Sequence, residues 1–142
     1  MPGEPLFTQR FEIQGRDFVN AGRASSTVKV ILREIGIPPA AIRRAAIACY
    51  EAEMNVVLYA RKGVMELRVR PKDIRITVDD QGPGIPDIEL AMQEGYSTAS
   101  DEIREMGFGA GMGLPNIKKN ADQFTIQSVV GKGTTLEIMI RP

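Results

Sequence analysis

The sequence predicts a two-layer α/β sandwich, an α+β arrangement in which a mixed, mostly antiparallel sheet carries its helices on one face. Two observations support this fold class. Five short segments alternate apolar and polar residues, as strands with one buried face do, and tight turns join two pairs of them in antiparallel fashion. The first strand is separated from the others by two helical patterns, so it is free to pair in either direction. We expect residues 1–142 to form a single domain.

The first half of the chain is predicted to form a strand followed by two helices. In residues 7–13 the apolar side chains fall mostly on one parity, which indicates a half-buried strand. Asp17 is then a candidate N-cap for a helix with apolar positions every three or four residues, ending at Gly36. Pro39 opens a second helix over residues 39–61, because proline is tolerated in the first turn.

The second half is predicted to contain two hairpins separated by short helices and a loop. Turn residues separate the two alternating segments of each hairpin. The predicted elements are, in order, a hairpin over residues 65–78, a short helix over residues 87–94, a glycine-rich loop over residues 95–113, a helix beginning near Pro115 and a hairpin over residues 124–140.

Composition excludes several kinds of chemistry. The chain has no histidine, so acid-base chemistry falls to carboxylates, lysines or the lone thiol of Cys49, and no Ser-His-Asp triad or phosphohistidine is available. A single cysteine allows no intrachain disulfide and suits a reducing compartment. The 18 basic residues balance 18 acidic ones, and no apolar run is long enough for a signal peptide or a membrane span. We therefore expect a cytoplasmic protein with neither nucleic acid nor membrane as a partner.

The second predicted helix carries two polar residues, Glu51 and Asn55, among apolar neighbours. Because they are four residues apart, they lie one above the other on the helix surface. Asparagine is a poor helix former, costing about 0.5 kcal/mol relative to alanine in a helix interior, so a compensating role is expected. Taken alone, however, the pair is more typical of an exposed polar stripe than of a functional site.

The strand that precedes residue 80 runs into the sequence Asp80-Gln81-Gly82-Pro83-Gly84. Asp80 shares the parity of the apolar residues of that strand, so its carboxylate points toward the core side of the sheet. A carboxylate there needs a donor, which a ligand amino group such as the exocyclic amine of adenine would supply. Gly82 and Gly84 permit close approach to the backbone. An ordinary Asp-Gly turn is an equally good interpretation of these residues alone.

Glycines recur at Gly107, Gly109, Gly111 and Gly113, directly before the last predicted helix. Their N–H groups, beside a positive helix N-terminus, would form an anion site suited to phosphates. A dinucleotide-binding motif does not fit, because no strand precedes the glycines, and a Walker A motif does not fit, because no Gly-Lys-Ser/Thr follows them. An ordinary connecting loop is the alternative.

Thr134 begins the last predicted strand and shares the parity of the apolar residues that follow it, whereas Thr135 faces the other way. If its strand neighbours the one that ends at Asp80, the inward hydroxyl of Thr134 lies beside that carboxylate. A core threonine with its hydrogen bonds satisfied is the commoner explanation of this pattern.

Together, these motifs resemble a known family. E-x-x-x-N, D-x-G-x-G, a glycine-rich loop ending in G-M-G-L, and G-x-G-T follow the order of the N, G1, G2 and final boxes of the GHKL ATPases, which share the Bergerat ATP-binding fold. The resemblance covers nearly the whole chain. Within that superfamily, the sequence is similar to the serine/threonine kinase branch of histidine-kinase-like ATPase domains, which contains bacterial anti-sigma factors and stressosome switch kinases.

The resemblance implies roles for three polar residues. Asn55 would be the Mg²⁺ ligand, and one amide oxygen is sufficient because Mg²⁺ keeps several waters and bridges phosphates. Glu51, one helical turn away, would be the general base that accepts the proton of an attacking hydroxyl. Asp80 would anchor adenine.

The resemblance also implies the surroundings of ATP. Gly82 and Gly84 would form the floor of the purine pocket, and Thr134 would support the adenine. The ATP lid would comprise about residues 95–113. The residues expected to wrap the phosphates are Gly109, Gly111, Met112, Gly113 and Leu114.

The function implied by the resemblance is that of an ATP- and Mg²⁺-dependent serine/threonine protein kinase. Its phosphoacceptor would be a small STAS-domain anti-anti-sigma protein, with a sigma factor or a PP2C-type phosphatase as a further partner and a homodimer as an expected assembly. The alternative is an ATP-gated binding module that sequesters a sigma factor or activates a phosphatase without significant phosphotransfer. A detached histidine-kinase catalytic domain fits less well, because that group lacks a glutamate at the position of Glu51.

Overall fold

A computed structural model describes residues 7–95 and 113–142. Its elements are, in chain order, β1 (Phe7–Gln14), α1 (Arg23–Ile35), α2 (Pro39–Tyr59), β2 (Lys62–Val69), β3 (Ile74–Gln81), α3 (Ile88–Ala91), α4 (Gly113–Asn120), β4 (Gln123–Val129) and β5 (Gly133–Ile140). The strands form one sheet in the order β1-β2-β3-β5-β4, and the long helices cover one of its faces. The predicted two-layer sandwich is therefore confirmed.

The sheet is antiparallel at all four pairings between the described strands, rather than mixed as the sequence predicts. The difference concerns β1, which runs antiparallel to β2 with Phe7 opposite Val69. The reason is that α1 leads away from the C-terminal end of β1 and α2 leads back to it. The strand that follows α2 therefore begins beside the end of β1, with Lys62 opposite Gln14. At that end, Gly15 N donates to Arg61 O over 2.8 Å.

Alternation along the strands fixes the buried face of the sheet. In β3, Ile74, Ile76 and Val78 are buried, whereas Arg75 is exposed on the opposite face. Helix α2 packs on the buried face between α1 and α4, and it is apolar around most of its circumference. This central position explains why the sequence of α2 shows no broad polar side.

Helix α1 begins at Arg23, six residues after Asp17, so the predicted N-cap is wrong. Asp17 instead accepts hydrogen bonds from Asn20 N at 3.3 Å and Asn20 Nδ2 at 2.8 Å, which closes a turn before the helix. Gly22 follows with a φ of 94°, a left-handed conformation that interrupts any helix continuing from the turn. The cap of α1 comes from a distant residue, Glu53, described below.

Helix α3 is shorter than the predicted helix over residues 87–94. Asp87 is its N-cap and accepts a hydrogen bond from Leu90 N at 3.0 Å. The predicted loop over residues 95–113 lies outside the described residues except at its two ends, Gly95 and Gly113.

Candidate functional site

Asp80 lies near the end of β3, on the buried face of the sheet as predicted, and is half-buried. Its Oδ1 accepts a hydrogen bond of 3.0 Å from Thr134 N, at the start of β5. Burial raises the pKa of the Asp80 carboxyl and the neighbouring charge of Asp79 raises it further, whereas the hydrogen bond from Thr134 lowers it. Part of the hydrogen-bonding need predicted for this carboxylate is thus met by the protein itself.

Thr134 is buried, with 6% of its surface exposed, and faces the same side of the sheet as Asp80. Strands β3 and β5 are neighbours, with Asp79 opposite Thr135. The expected juxtaposition of Asp80 and Thr134 is therefore present. The contact between them runs through the backbone N–H of Thr134, while its hydroxyl lies 2.8 Å from Ser128 Oγ.

Three glycines around Asp80 occupy positions with little room for a side chain. A Cβ on Gly82 would lie 3.1 Å from Asp80 Oδ1 and 3.2 Å from Ala60 Cβ. Gly84 has a φ of 78°, and a Cβ there would lie 2.5 Å from Val129 O. Gly133, the second glycine of the G-x-G-T motif, packs directly on the backbone of Asp80, so that a Cβ would overlap Asp80 O.

Ser128 lies beside this segment and belongs to none of the motifs found in the sequence. Its Oγ accepts a hydrogen bond from Ile85 N at 2.7 Å, and Gly131 N donates to Pro83 O at 2.8 Å. These bonds attach the segment that contains Gly82 and Gly84 to the β4–β5 hairpin. The available signal was parity, because Ser128 shares the face of Phe124 and Ile126 on β4.

Glu51 and Asn55 form a second polar group, on the side of α2 that faces α4. A Cβ on Gly113 would lie 3.6 Å from Glu51 Oε2 and 3.9 Å from Asn55 Oδ1, so both side chains border the first described residue of α4. Asn116, one turn further along α4, donates through Nδ2 to Glu51 Oε2 over 3.2 Å. The polar stripe predicted on α2 therefore faces another helix and carries a specific partner.

The two polar groups are connected through the C-terminal half of α2. Gly63, which pairs with Asp80 across the sheet, lies beneath Val56, because a Cβ on Gly63 would approach Val56 Cγ2 to 2.9 Å. Ala60, at the end of α2, packs on Gly82. The C-terminal half of α2, which carries Asn55, thus rests on the strand end that carries Asp80.

The remaining predicted residues are divided between described and undescribed parts of the chain. Gly109, Gly111 and Met112 lie outside the described residues. Gly113 and Leu114 begin α4, where the side chain of Leu114 is buried in the core, so that only its backbone is available to a ligand. Among the described residues, no cluster of three or more acidic or cysteine side chains is arranged to hold a metal.

Cys49 is removed from the candidates for acid-base chemistry. It is fully buried, with Sγ 3.1 Å from Met65 Sδ. Burial raises the pKa of its thiol far above the ordinary range, and the charge of Glu53 raises it further. The thiol is therefore held in its neutral, unreactive form.

The chain matches a known class of ATPase domain. The family described as histidine kinase-, DNA gyrase B- and HSP90-like ATPase matches residues 40–142, and the chain belongs to this family. The chain is 35% identical over 111 residues to serine/threonine-protein kinase RsbT of Bacillus subtilis. This match covers 75% of this chain and 77% of that protein. It is 33% identical over 96 residues to an anti-sigma F factor of Caldanaerobacter subterraneus, and the match covers 64% of each.

Two solved structures share the fold. The RsbU and RsbW domains of a Mycobacterium tuberculosis protein match with a TM-score of 0.58 at 18% identity, covering 94% of this chain and 33% of that one. The catalytic domain of histidine kinase ThkA matches with a TM-score of 0.51 at 14% identity, covering 96% of each chain. Within residues 7–95 and 113–142, no helix has the length and apolar character needed to cross a membrane.

Proposed function

We propose that this protein is a Mg²⁺-dependent serine/threonine protein kinase that transfers the γ-phosphoryl group of ATP to a small STAS-domain anti-anti-sigma protein. Membership of an ATPase family and the similarity to a protein named as a serine/threonine kinase support this function. The observation that carries it is the position of Glu51 beside Asn55 and Gly113, where a base, an oxygen ligand and a helix N-terminus meet.

The adenine end of the proposed site is formed by Asp80, Thr134, Gly82 and Gly84. The carboxylate of Asp80 would accept a hydrogen bond from the exocyclic amine, while Thr134 N holds the carboxylate in place. Gly82 and Gly84 would form the floor of this end of the site, where an added Cβ would approach Asp80 Oδ1 at Gly82 and Val129 O at Gly84. A nucleobase without an amine at this position would leave the half-buried carboxylate with Thr134 N as its donor and no donor from the ligand. This difference would make the site selective for adenine.

The phosphate end is assigned to the start of α4 and to the glycines before it. The proposed phosphate-binding residues are Gly109, Gly111, Met112, Gly113 and Leu114. Backbone N–H groups at a helix N-terminus favour anions, and the α4 dipole is oriented to contribute. Asn55 Oδ1 faces Gly113 and would be the protein ligand of Mg²⁺, which when bound neutralises phosphate charge.

Glu51 is the proposed general base. Asn116 holds Oε2 of its carboxylate by a hydrogen bond of 3.2 Å, which orients the group toward the start of α4. In the proposed reaction Glu51 accepts the proton of the partner's serine or threonine hydroxyl. The hydroxyl oxygen forms a bond to the γ-phosphorus as the bond from that phosphorus to the β–γ bridging oxygen breaks, and ADP leaves.

The function is tested by incubating the protein with labelled ATP and a cognate STAS protein. We expect transfer of label to serine or threonine, and a decrease of about 10²- to 10⁴-fold in Glu51→Gln with ATP affinity retained. Glu34→Gln, on the exposed side of α1, is the matched control and should transfer at the normal rate. Normal transfer by Glu51→Gln would contradict the assignment of the base.

A second candidate is an ATP-gated binding module that sequesters a sigma factor or activates a PP2C-type phosphatase. The similarity to proteins named as anti-sigma F factors favours it. Pull-down of a sigma factor in ATP and in ADP separates the two candidates. A difference in capture between ATP and ADP that is lost in Asn55→Ala, with no phosphotransfer, would support the ATP-gated module. Equal capture by both proteins in both nucleotides, again without phosphotransfer, would indicate sequestration without gating. Sedimentation of the same samples would test for the expected homodimer.

A further inference from the structure

Glu53 is a buried carboxylate in the middle of α2, with only 2% of its surface exposed. Its Oε2 accepts hydrogen bonds from Gly22 N at 3.0 Å and Ala24 N at 3.2 Å, and its Oε1 accepts one from Ser25 N at 3.0 Å. A buried charge without partners would be very costly, whereas three N–H donors at a helix N-terminus satisfy it. Glu53 therefore caps α1 from a neighbouring helix.

Helix α1 depends on this distant cap. Its own N-cap residue is Gly22, which has no side chain, and no acidic residue lies in its first turn. The first N–H groups of a helix lack partners within the helix and need one from elsewhere. The contact thus joins α1 and α2 by directional bonds to a single side chain.

The position of Glu53 within α2 links this contact to the proposed reaction site. Glu53 lies two residues after Glu51 and two residues before Asn55. A separation of two residues is about 200° around a helix, so Glu53 points away from the face that Glu51 and Asn55 share. One face of α2 is held by α1 while the opposite face presents the base and the metal ligand to α4.

Apolar packing restrains α2 unevenly along its length. Ala41, Ala45, Ala48 and Ala52 are buried but end at Cβ and interlock little with their neighbours, whereas most of the larger buried side chains, Met54, Val56, Val57 and Leu58, lie toward its C-terminal end. The directional bonds of Glu53 add a restraint on rotation in the segment that carries Glu51. A rotation of about 10° would move a group about 6 Å from the helix axis by about 1 Å. Displacements of that size are sufficient to reduce a reaction rate by about a hundredfold.

We infer that Glu53 is a positioning residue, which fixes the rotation of α2 through the N-terminus of α1 and thereby holds Glu51 and Asn55 in register with α4. This inference rests on the proposed function for its kinetic consequence. Glu53→Gln retains the shape of the side chain but loses its charge, and its amide NH₂ must face at least one N–H of α1. Glu53→Ala removes the contact completely.

The matched control is Ser25→Ala. Ser25 Oγ donates to Gly22 O over 3.0 Å, so this variant weakens the same end of α1 without changing the bonds to Glu53. Ser25→Ala and the two Glu53 variants should all lower the melting temperature. Only the Glu53 variants should also lower kcat, by about tenfold to a hundredfold, with the KM for the STAS substrate and the affinity for Mg²⁺-free ADP unchanged. Glu53→Gln should be less impaired than Glu53→Ala.

A kcat reduced equally in Ser25→Ala, or a wild-type kcat in correctly folded Glu53→Ala, would overturn the inference. An equal loss of ADP affinity would do the same, because it would indicate general loosening. If the wild type transfers no phosphate, the proposed function fails, and the inference is judged from the increase in ATP affinity that Mg²⁺ produces. Loss of that increase in Glu53→Gln but not in Ser25→Ala supports it, and retention in both refutes it.

Discussion

Thr134 N donates a hydrogen bond of 3.0 Å to Asp80 Oδ1, which joins the start of β5 to the end of β3 at the proposed adenine site. The bond uses one oxygen of the carboxylate and comes from a backbone group, so a substitution at Thr134 retains the donor unless it introduces proline, which lacks the N–H. Because Gly133 packs against the backbone of Asp80, the two strands are also in direct contact at this point. The carboxylate proposed to bind adenine is therefore held in place by the pairing of β3 with β5.

Asp80→Asn tests the adenine assignment. The asparagine oxygen can still accept from Thr134 N, but an NH₂ group replaces the acceptor offered to the exocyclic amine. We expect ATP affinity to fall by about 2 kcal/mol, roughly thirtyfold in Kd, as measured by calorimetry. The control is Asp79→Asn, whose carboxylate accepts from Thr135 Oγ1 on the opposite face of the sheet. Equal losses in the two variants would argue against a specific contact.

In the absence of nucleotide, Asp80→Asn should be more stable than the wild type at neutral pH. Burial raises the pKa of Asp80 above its ordinary value of 3.8, so the folded state holds the proton more tightly than the unfolded state. The resulting stabilisation is present below pH 3.8 and is lost as pH rises through the raised pKa. Melting curves should show Asp80→Asn above the wild type at pH 7, with the gap closing below about pH 3.8. A constant gap would indicate another cause.

Asp122 should show the opposite pH dependence. Its pKa is lowered by a hydrogen bond from Arg141 N and by the side chain of Arg44, which lies 2.8 Å away. Stability from a lowered pKa is present above pH 3.8 and is lost as pH falls through the folded-state value. Asp122→Asn should therefore melt below the wild type at pH 7 and approach it in acid. Added salt should narrow the difference, because the pair is partly exposed.

Gly84→Ala is expected to destabilise the protein more than Gly131→Ala. Both glycines have positive φ, 78° and 83°, and each substitution costs about 1–2 kcal/mol for the left-handed conformation. Only Gly84 also meets a neighbour, because its Cβ would lie 2.5 Å from Val129 O, whereas nothing lies within 4 Å of a Cβ on Gly131. Denaturant unfolding of both variants gives the steric part by difference. Equal costs would show that the loop moves freely away from the hairpin.

Asn116→Ala should reduce phosphotransfer while leaving nucleotide affinity close to normal. The substitution removes the donor to Glu51 Oε2 and frees the carboxylate to rotate, which should lower kcat by about tenfold. Asn120→Ala is a control in the same helix, since the Asn120 side chain bonds only to the backbone oxygen of Asn116 in this part of the structure. If both variants have the same rate, orientation by Asn116 is unimportant.

Local patterns predicted the positions whose partners are fixed by strand parity. Alternation along β3 and β5 placed Asp80 and Thr134 on the buried face, and the pairing of those strands brought them together. The same rule would have identified Ser128, had it been applied to the polar residues of β4.

Patterns failed where the partner is distant in sequence. The start of α1 was predicted at Asp17, although its cap is Glu53, a residue 28 to 31 positions from the N–H groups that it binds. The direction of β1 depends on how two helices pack together, which no local periodicity encodes. The contact between Asn116 and Glu51 likewise joins residues 65 positions apart.

The attachment of Ile85 to Ser128 has a consequence for the dynamics of the sheet. β4 is an edge strand, paired only with β5 in the described sheet, and edge strands are among the first regions to open by local unfolding. A ligand held near Asp80 would bind only the closed form of that hairpin, so its binding free energy would suppress the opening. Amide hydrogen exchange in β4 and nucleotide occupancy are then two measures of one equilibrium.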